Sequence, residues 1–194
     1  MSIEANAGHA GNSFSPMLIS DADFQRMVTF IKSNYGIDLS HKRQLITGRL
    51  SPTIRKMGYS SFSDFVAHLL EKKDADEITM ILNKLTTNYT FFMREQEHLE
   101  YFRQRIIPDL IRRHQRDKVL SIWSAGCSSG EEPYNITMYL FDYLGTQARQ
   151  WDTRILATDI SANALTSAKK GIYELPETMP TDWKRKYFTK NPDG

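Results

Sequence analysis

Apolar positions recur at helical spacing in the first part of the chain. The apolar residues of segment 20–35 lie three or four positions apart, which predicts a helix with one buried face. They are Phe24, Met27, Val28 and Ile31. Ser20 or Asp21 can cap the start of this helix, and Gly36 ends it. Residues 1–16, which are rich in Gly, Ala, Ser and Asn, are predicted to form a flexible tail.

Three more helices are predicted before residue 87. The second covers the segment 40–59, where Pro52 is expected to kink or split it. The third begins after Ser61 or Ser63, and the fourth is predicted in "DADEITMILNKL". Residues 17–86 are therefore predicted to be a small all-α domain.

The hydrophobic period changes in the second part of the chain. The segment 87–115 is predicted to hold a linker motif followed by one long helix. The motif, "TTNYTFFMRE", begins at residue 86, and the helix is predicted over 94–116. Two short apolar strands then alternate with two helices, in "KVLSIWSA", "EEPYNITMYLFDYLG", "TRILATDI" and "SANALTSAKKGIY". This alternation predicts a parallel, Rossmann-like α/β sheet, so residues 116–194 are predicted to be the N-terminal part of an α/β domain.

The pattern contains no third strand. An open α/β sheet needs several strands with both faces covered, which two strands do not provide. We therefore expect either that the α/β domain is truncated after two βα units or that the chain completes its sheet by forming a dimer.

Composition and charge exclude several classes of protein. A formal net charge of +2 argues against a nucleic-acid binder, and no apolar run approaches the roughly 20 residues that membrane insertion requires. One cysteine allows no intrachain disulfide, and the histidines lack ligand-like spacing, so we expect a cytoplasmic protein without a metal site.

The loop "WSAGCSSGEEPY" joins the first predicted strand to its helix, which is where ligands bind in such sheets. Gly126, Ser128 and Gly130 keep this loop small, but Glu131 and Glu132 would repel a phosphate. They suit a ligand with cationic groups and hydroxyls, and S-adenosylmethionine has both and no phosphate. Alternatively, two acids in a first helical turn only complement the helix dipole.

Two nucleophile hypotheses for this loop are weaker. The spacing Gly-x-Ser-x-Gly is typical of a hydrolase nucleophile elbow with Ser128 as nucleophile, but no Asp and His pair follows it. Cys127 has no histidine after it in the chain, so it is interpreted as a small packing residue.

Asp159 follows the second predicted strand in "ATDIS", 33 residues after Gly126. An acid at this place can accept hydrogen bonds from ribose hydroxyls. It could instead cap the next helix, but Ser161 can fill that role, so ligand binding is favoured.

These stretches together resemble the CheR-type chemotaxis receptor methyltransferases. "LTTNYTFFMRE" is similar to the family's linker motif, although Met93 is inserted before Arg94. "WSAGCSSGEEPYNITM" and "ATDISANALTSAKKGIYE" are similar to its first two strand motifs, and "YGIDLSHKRQLITGRLSPTIRKMGYSSFSDF" to its helical domain. The resemblance covers about residues 20–188.

The resemblance implies roles for single residues. Asn88 and Thr90 would contact S-adenosylmethionine, with Gly126 in the binding loop. Arg94 would lie beside the sulfonium and the incoming carboxylate as the catalytic residue. One or both of Glu131 and Glu132 would bind the amino-acid part of the donor, and Asp159 its ribose.

The helical domain would face the receptor. Lys42, Arg49 and Lys56 are seven residues apart on one helix edge and would meet acidic helices of the chemoreceptor's cytoplasmic part. An ordinary solvated face is the alternative for these three cations.

The resemblance implies a protein-glutamate O-methyltransferase, which uses S-adenosylmethionine, releases S-adenosylhomocysteine and forms glutamate methyl esters on chemoreceptors in chemotaxis adaptation. We expect this chain to be inactive alone if it is truncated. A non-catalytic receptor-binding or scaffolding module that dimerises is the main alternative. A nicotinamide dehydrogenase fits the β-α-β pattern but not the glutamate-bearing loop.

Overall fold

The computed structural model describes residues 16–192, so the predicted tail lies outside the described residues except for Pro16. The chain divides into two compact units between Leu85 and Thr86. In the described part, no helix is long and apolar enough to cross a membrane, and no group of acidic, histidine or cysteine side chains could hold a metal ion.

The first unit is all-helical. Its helices are α1 (Asp21–Tyr35), α2 (Arg43–Lys56), α3 (Phe62–Lys72) and α4 (Ala75–Leu85). The four residues predicted for the buried face of α1 are all in the core, together with apolar residues of the other three helices. Ser20 caps α1 and Ser61 caps α3, each by accepting a hydrogen bond from a backbone amide three residues on.

Helix α2 runs through Pro52 without a break, so of the kink or split predicted at this residue the split was wrong. Ile46, Leu50 and Ile54 are fully buried along one face of α2 and hold both halves of the helix against the same core. Pro52 itself is exposed, where its ring costs no packing. The packing of the apolar face thus outweighs the one backbone hydrogen bond that proline cannot donate.

The second unit begins with an interrupted helix. Helix α5 (Gln96–Tyr101) passes through a π-helical turn (Phe102–Ile106) into α6 (Ile107–Arg113). The long helix predicted over 94–116 is thus present over 96–113, but with a π-helical turn that the sequence pattern did not predict. Pro108 explains the change, because it has no amide to donate and its ring displaces the carbonyl four residues earlier.

The β-α-β-α alternation is observed. Its elements are β1 (Val119–Ala125), α7 (Glu131–Leu144), β2 (Asp152–Thr158) and α8 (Ala162–Lys170), followed by the short α9 (Thr181–Tyr187). The strands pair in parallel from Val119 opposite Asp152 to Ala125 opposite Thr158. In the described part this is the whole sheet, and its parallel β-α-β order is that of a Rossmann-like domain.

One face of the sheet is covered and the other is open. Leu120 and Ser124 of β1 are buried beneath α7 and its neighbours, whereas Trp123 and its register partner Leu156 are 67% and 61% exposed. The candidate site is formed by the covered face, by the loops at the carboxyl ends of the strands and by α7.

Candidate functional site

A cavity of about 480 Å³ lies at the carboxyl ends of β1 and β2, within the second unit. Its walls come from the linker, the start of α5, the loop after β1, the first turns of α7 and Asp159 after β2. The predicted ligand crevice of the sheet is thus present as a real cavity.

The loop after β1 has an unusual backbone. Gly126 and Gly130 have φ of +87° and +102°, and Ser128 between them has φ of +49°. The amides of Gly126 and Cys127 both donate to the carbonyl of Thr158, at 2.8 and 2.9 Å, which ties the loop to the end of β2. Positive φ is inexpensive for glycine, so these glycines let the chain turn tightly at the cavity.

Asp159 holds the two loops of the site together. Its Oδ2 accepts a hydrogen bond from the amide of Ser128 at 2.7 Å, and its Oδ1 accepts one from the amide of Ser161 at 2.7 Å. Ser161 caps α8, as expected, through its own hydroxyl. Asp159 lines the cavity, and each of its oxygens keeps a second lone pair for a ligand.

The two adjacent glutamates point to different places. Glu132 lines the cavity, and its Oε1 accepts a hydrogen bond from the buried hydroxyl of Ser124 at 2.7 Å. Glu131 accepts one from Ser129 at 2.7 Å and borders a separate groove beside Tyr173. Of the pair, only Glu132 lies with Asp159 and Gly126 around the cavity.

The linker contributes Thr90 and Arg94 to the cavity wall, but not the side chain of Asn88. The backbone carbonyl of Asn88 instead accepts a hydrogen bond from Ser128 Oγ at 2.6 Å. This bond joins the linker to the loop after β1. It also engages the Ser128 hydroxyl, so a nucleophilic role for Ser128 finds no support in the geometry.

Arg94 is held in an irregular turn. Met93 and Glu95 on either side of it have φ of +62° and +52°, which is uncommon for residues other than glycine. The guanidinium donates to the carbonyl of Tyr89 at 3.0 Å and lies 3.8 Å from Glu95, with half of the side chain exposed. Such strain at a cavity wall is typical of functional segments.

Apolar side chains complete the cavity. Phe91, Leu99, Phe102 and Ile136 line it, and Asn135 lies among them. Cys127 also lines the cavity, and the residue is 1% exposed. Burial raises the pKa of its thiol, and the carboxylates of Asp159 and Glu132 raise it further, so it stays protonated and packs as predicted.

The sequence did not predict the supporting roles of three residues. Ser124 orients Glu132, Ser128 connects Asn88 to Asp159, and Tyr173 donates from its hydroxyl to the carbonyl of Ser129 at 2.6 Å. Burial raises the pKa of Tyr173, with Tyr134 and Glu131 adding to the effect. The serines stand inside the motif, but Tyr173 has no sequence signal because its partner is 44 residues away.

The predicted receptor-binding cations lie in the first unit. Lys42 precedes α2 and Lys56 ends it, and both are exposed. Arg49 is also exposed, but its guanidinium donates to the carbonyls of Lys84 and Leu85 at 3.1 and 3.5 Å. Arg49 therefore helps to close the end of α4.

The side chains that line the cavity fit S-adenosylmethionine. Of the three acidic residues that line it, Glu132 and Asp159 offer acceptors to cationic and hydroxyl groups, while Glu95 lies beside the Arg94 guanidinium. The apolar walls suit an adenosyl group. Bound phosphate would meet these carboxylates at short range, which disfavours a nucleotide.

Comparisons with known proteins agree with this fit. Residues 22–86 match the family model described as the CheR methyltransferase all-alpha domain, and residues 88–194 match the CheR methyltransferase SAM binding domain. The chain is 35% identical over 182 residues to the chemotaxis protein methyltransferase of Borreliella burgdorferi, covering 90% of this chain and 64% of that protein.

Two further relatives are similar. The chemotaxis protein methyltransferase of Escherichia coli is 36% identical, over 90% of this chain and 59% of its own length. Chemotaxis protein methyltransferase 2 of Vibrio cholerae is 32% identical, over 92% and 62%. The chain thus spans between 59 and 64% of the length of these curated relatives. With both domain models matched in order, the chain belongs to the CheR methyltransferase family, and its second unit carries the fold of that family's S-adenosylmethionine-binding domain.

Proposed function

We propose that this protein transfers a methyl group from S-adenosylmethionine to glutamate side chains of chemoreceptors, giving glutamate methyl esters. The relatives named chemotaxis protein methyltransferase support methyl transfer in chemotaxis, and the ester product is the finer part of the proposal. The setting we propose is the cytoplasm, where the single cysteine stays reduced.

The observation that carries the proposal is the meeting of Glu132 and Asp159 at one cavity. They follow successive parallel strands, and both carboxylates are fixed by hydrogen bonds from the protein, Glu132 from Ser124 and Asp159 from two amides. Fixed acceptors bind without a reorganisation cost. We propose that Asp159 binds the ribose hydroxyls of the donor and that Glu132 binds its amino-acid part, with Thr90 and Gly126 against the donor's other surfaces.

When bound, S-adenosylmethionine supplies an electrophilic methyl group, and its sulfur takes the bonding electrons as S-adenosylhomocysteine is released. The acceptor glutamate has a reference pKa near 4.3 and is ionised at neutral pH, so this chain needs no general base. Its residues have to align the two reactants and exclude water.

We propose that Arg94 is the catalytic residue that orients the acceptor. A guanidinium holds a carboxylate in a fixed fork, and Arg94 reaches the cavity from an exposed turn. The hydrogen bond from Arg94 to the Tyr89 carbonyl uses one N–H group of the guanidinium and leaves its other N–H groups for the carboxylate of the acceptor glutamate. Asn88, by contrast, is proposed to act through its backbone contact with Ser128 and not through its side chain.

The first unit is proposed to face the chemoreceptor's acidic helices with Lys42 and Lys56 at the two ends of α2. Arg49 lies between them and contributes charge while it also holds the end of α4. Exposed cations steer association more than they add affinity, so we expect their removal to slow receptor binding most at low salt.

The experiment that tests the proposal is methyl transfer from radiolabelled S-adenosylmethionine to chemoreceptor. The expected product is a label that mild alkali releases as methanol, because a glutamate methyl ester is base-labile. Alkali-stable label would contradict glutamate as the acceptor. Arg94→Lys keeps the charge and is expected to lower the rate while leaving donor binding nearly unchanged.

A second candidate function is a non-catalytic receptor-binding module that dimerises through its sheet. The exposure of Trp123 and Leu156 on the open face of β1 and β2 favours it. Light scattering separates the candidates, since this module requires a dimer at working concentration. A monomer that methylates receptor would rule it out.

A further inference from the structure

Tyr89 has an exposed aromatic ring at the cavity that the proposed mechanism does not use. The residue lines the cavity and is 72% exposed. Its ring meets the ring of Phe91, which is 44% exposed and also lines the cavity, at a centroid distance of 5.6 Å and an interplanar angle of 48°. Tyrosine rings are a favoured contact surface for partners because they are large and apolar with one polar end. The two rings, called the ring pair below, are therefore candidates for recognition.

The ring pair and Arg94 belong to one turn of the linker. The Arg94 guanidinium donates to the Tyr89 carbonyl at 3.0 Å, and the Arg94 amide donates to the Phe91 carbonyl at 3.4 Å. These bonds use the main chain of both residues, so the two rings stay free for other contacts. A carboxylate that Arg94 orients must consequently arrive at the turn that carries the ring pair.

The ring pair stands where the cavity meets the surface. Phe91 lines both the cavity and the separate groove beside Tyr173. The proposed ligands of the methyl donor, Asp159 and Glu132, are at the ends of the strands and at the start of α7. A donor bound to these carboxylates leaves the outward surface of Tyr89 in solvent, whereas a segment that brings a carboxylate to Arg94 from outside passes over it.

The chemistry of the ring pair indicates what it contacts on such a segment. Aromatic rings gain most from apolar side chains that they shield from water. On a helix, the side chains next to a given glutamate are three or four positions away, one turn before and one turn after it. A helical segment that presents glutamate to Arg94 thus places one of these neighbours against the rings.

We propose that the ring pair, with Tyr89 as its outer member, recognises an apolar side chain one helical turn from the acceptor glutamate. This inference rests on the proposed function. It makes Tyr89 a residue that selects among acceptor glutamates and that takes no part in binding the methyl donor.

The test measures the binding of two labelled synthetic helical peptides to the full chain by fluorescence anisotropy, with S-adenosylhomocysteine at saturation. Both peptides carry one glutamate, and they differ only in having leucine or serine one turn before and after it. Tyr89→Ala removes the ring, and Tyr89→Phe keeps it. Tyr101→Ala is the matched control, because Tyr101 is 60% exposed in the same unit and is not among the residues that line the cavity.

We expect the unchanged chain to bind the leucine peptide at least about fivefold more tightly than the serine peptide, since a buried ring is a typical centre of binding energy. Tyr89→Ala should abolish this preference, while Tyr89→Phe and Tyr101→Ala should keep it. The dissociation constant of S-adenosylhomocysteine, measured by calorimetric titration, should stay within about twofold in all variants. The melting temperature should not change, because the ring is exposed and the bond from Arg94 is to the Tyr89 carbonyl.

Two results for Tyr89→Ala would overturn the inference. One is a preference for the leucine peptide that persists, and the other is a loss of S-adenosylhomocysteine affinity as large as the loss for the leucine peptide, which would assign the ring to the donor site. An unchanged chain that binds the two peptides equally, or neither of them, would also overturn it while donor binding stands. If the unchanged chain does not bind S-adenosylhomocysteine, the proposed function fails as well.

Discussion

Replacing Gly130 by alanine tests the packing that holds the loop in front of α7. Gly130 has φ of +102°, and a Cβ there would lie 2.6 Å from Tyr173 Oη, 2.9 Å from Ala168 Cβ and 3.2 Å from Ala168 Cα. The Tyr173 hydroxyl is itself bonded to the Ser129 carbonyl, so it cannot move away without losing that bond. Alanine at 130 must therefore shift α8, Tyr173 or the loop.

The magnitude follows from two contributions. Positive φ costs an alanine about 1–2 kcal/mol relative to glycine, and overpacking against Tyr173 and Ala168 costs about 1–3 kcal/mol more. Gly126→Ala is the matched control, because Gly126 has φ of +87° in the same loop but no atom within 4 Å of its Cβ position. We therefore expect Gly130→Ala to lose about 1–3 kcal/mol more than Gly126→Ala.

The assay is thermal unfolding followed by tryptophan fluorescence. Trp123, Trp151 and Trp183 all belong to the second unit, so the signal reports the unit that carries the loop. In a domain of about 100 residues each kcal/mol shifts the midpoint by about 4–8 °C, so Gly130→Ala should melt at least about 4 °C below Gly126→Ala. Adding Tyr173→Phe, which removes the nearest atom, should reduce the difference. Equal midpoints for the two alanine variants would refute the reasoning.

Three further predictions concern single hydrogen bonds and the buried thiol. Ser124→Ala frees Glu132 and should weaken S-adenosylhomocysteine binding by about twofold to tenfold in a calorimetric titration. Cys127 should react with iodoacetamide at pH 8 far more slowly in the folded chain than in urea, because its pKa is raised and it is buried; equal rates would contradict this. Hydrogen bonds from Ser63 and then Ser20 lower the pKa of Asp23 below 3.8, so the first unit should lose stability as the pH falls below about 4. Ser63→Ala should make that loss smaller in urea titrations followed by circular dichroism, and an unchanged acid dependence would contradict the assignment.

Features that depend on near neighbours in sequence were predictable. Ser20, Ser61 and Ser161 cap helices because the amide that each of them binds is three residues away. The change from helical spacing to short apolar runs placed β1 and β2, because a short apolar run is a strand signal that does not depend on distant contacts.

Features set by contacts across the fold were not predictable. The two glutamates of the motif point to different places because Ser124 on β1 binds Glu132 while Ser129 binds Glu131. The sequence alone left open whether one or both of them bind the ligand. Likewise, Asn88 turned out to contribute a carbonyl to Ser128, 40 residues away. The interruption before Pro108 was missed because the apolar pattern of α5 and α6 is itself continuous.

The different positions of Glu131 and Glu132 give the most direct test of the binding site. The measurement is the dissociation constant of S-adenosylhomocysteine for the unchanged chain, Glu132→Gln and Glu131→Gln, each variant losing one charge at adjacent positions. Because only Glu132 lines the cavity, we predict that Glu132→Gln weakens binding about tenfold or more and that Glu131→Gln leaves it within about twofold. A loss in Glu131→Gln that equals or exceeds the loss in Glu132→Gln would contradict the account.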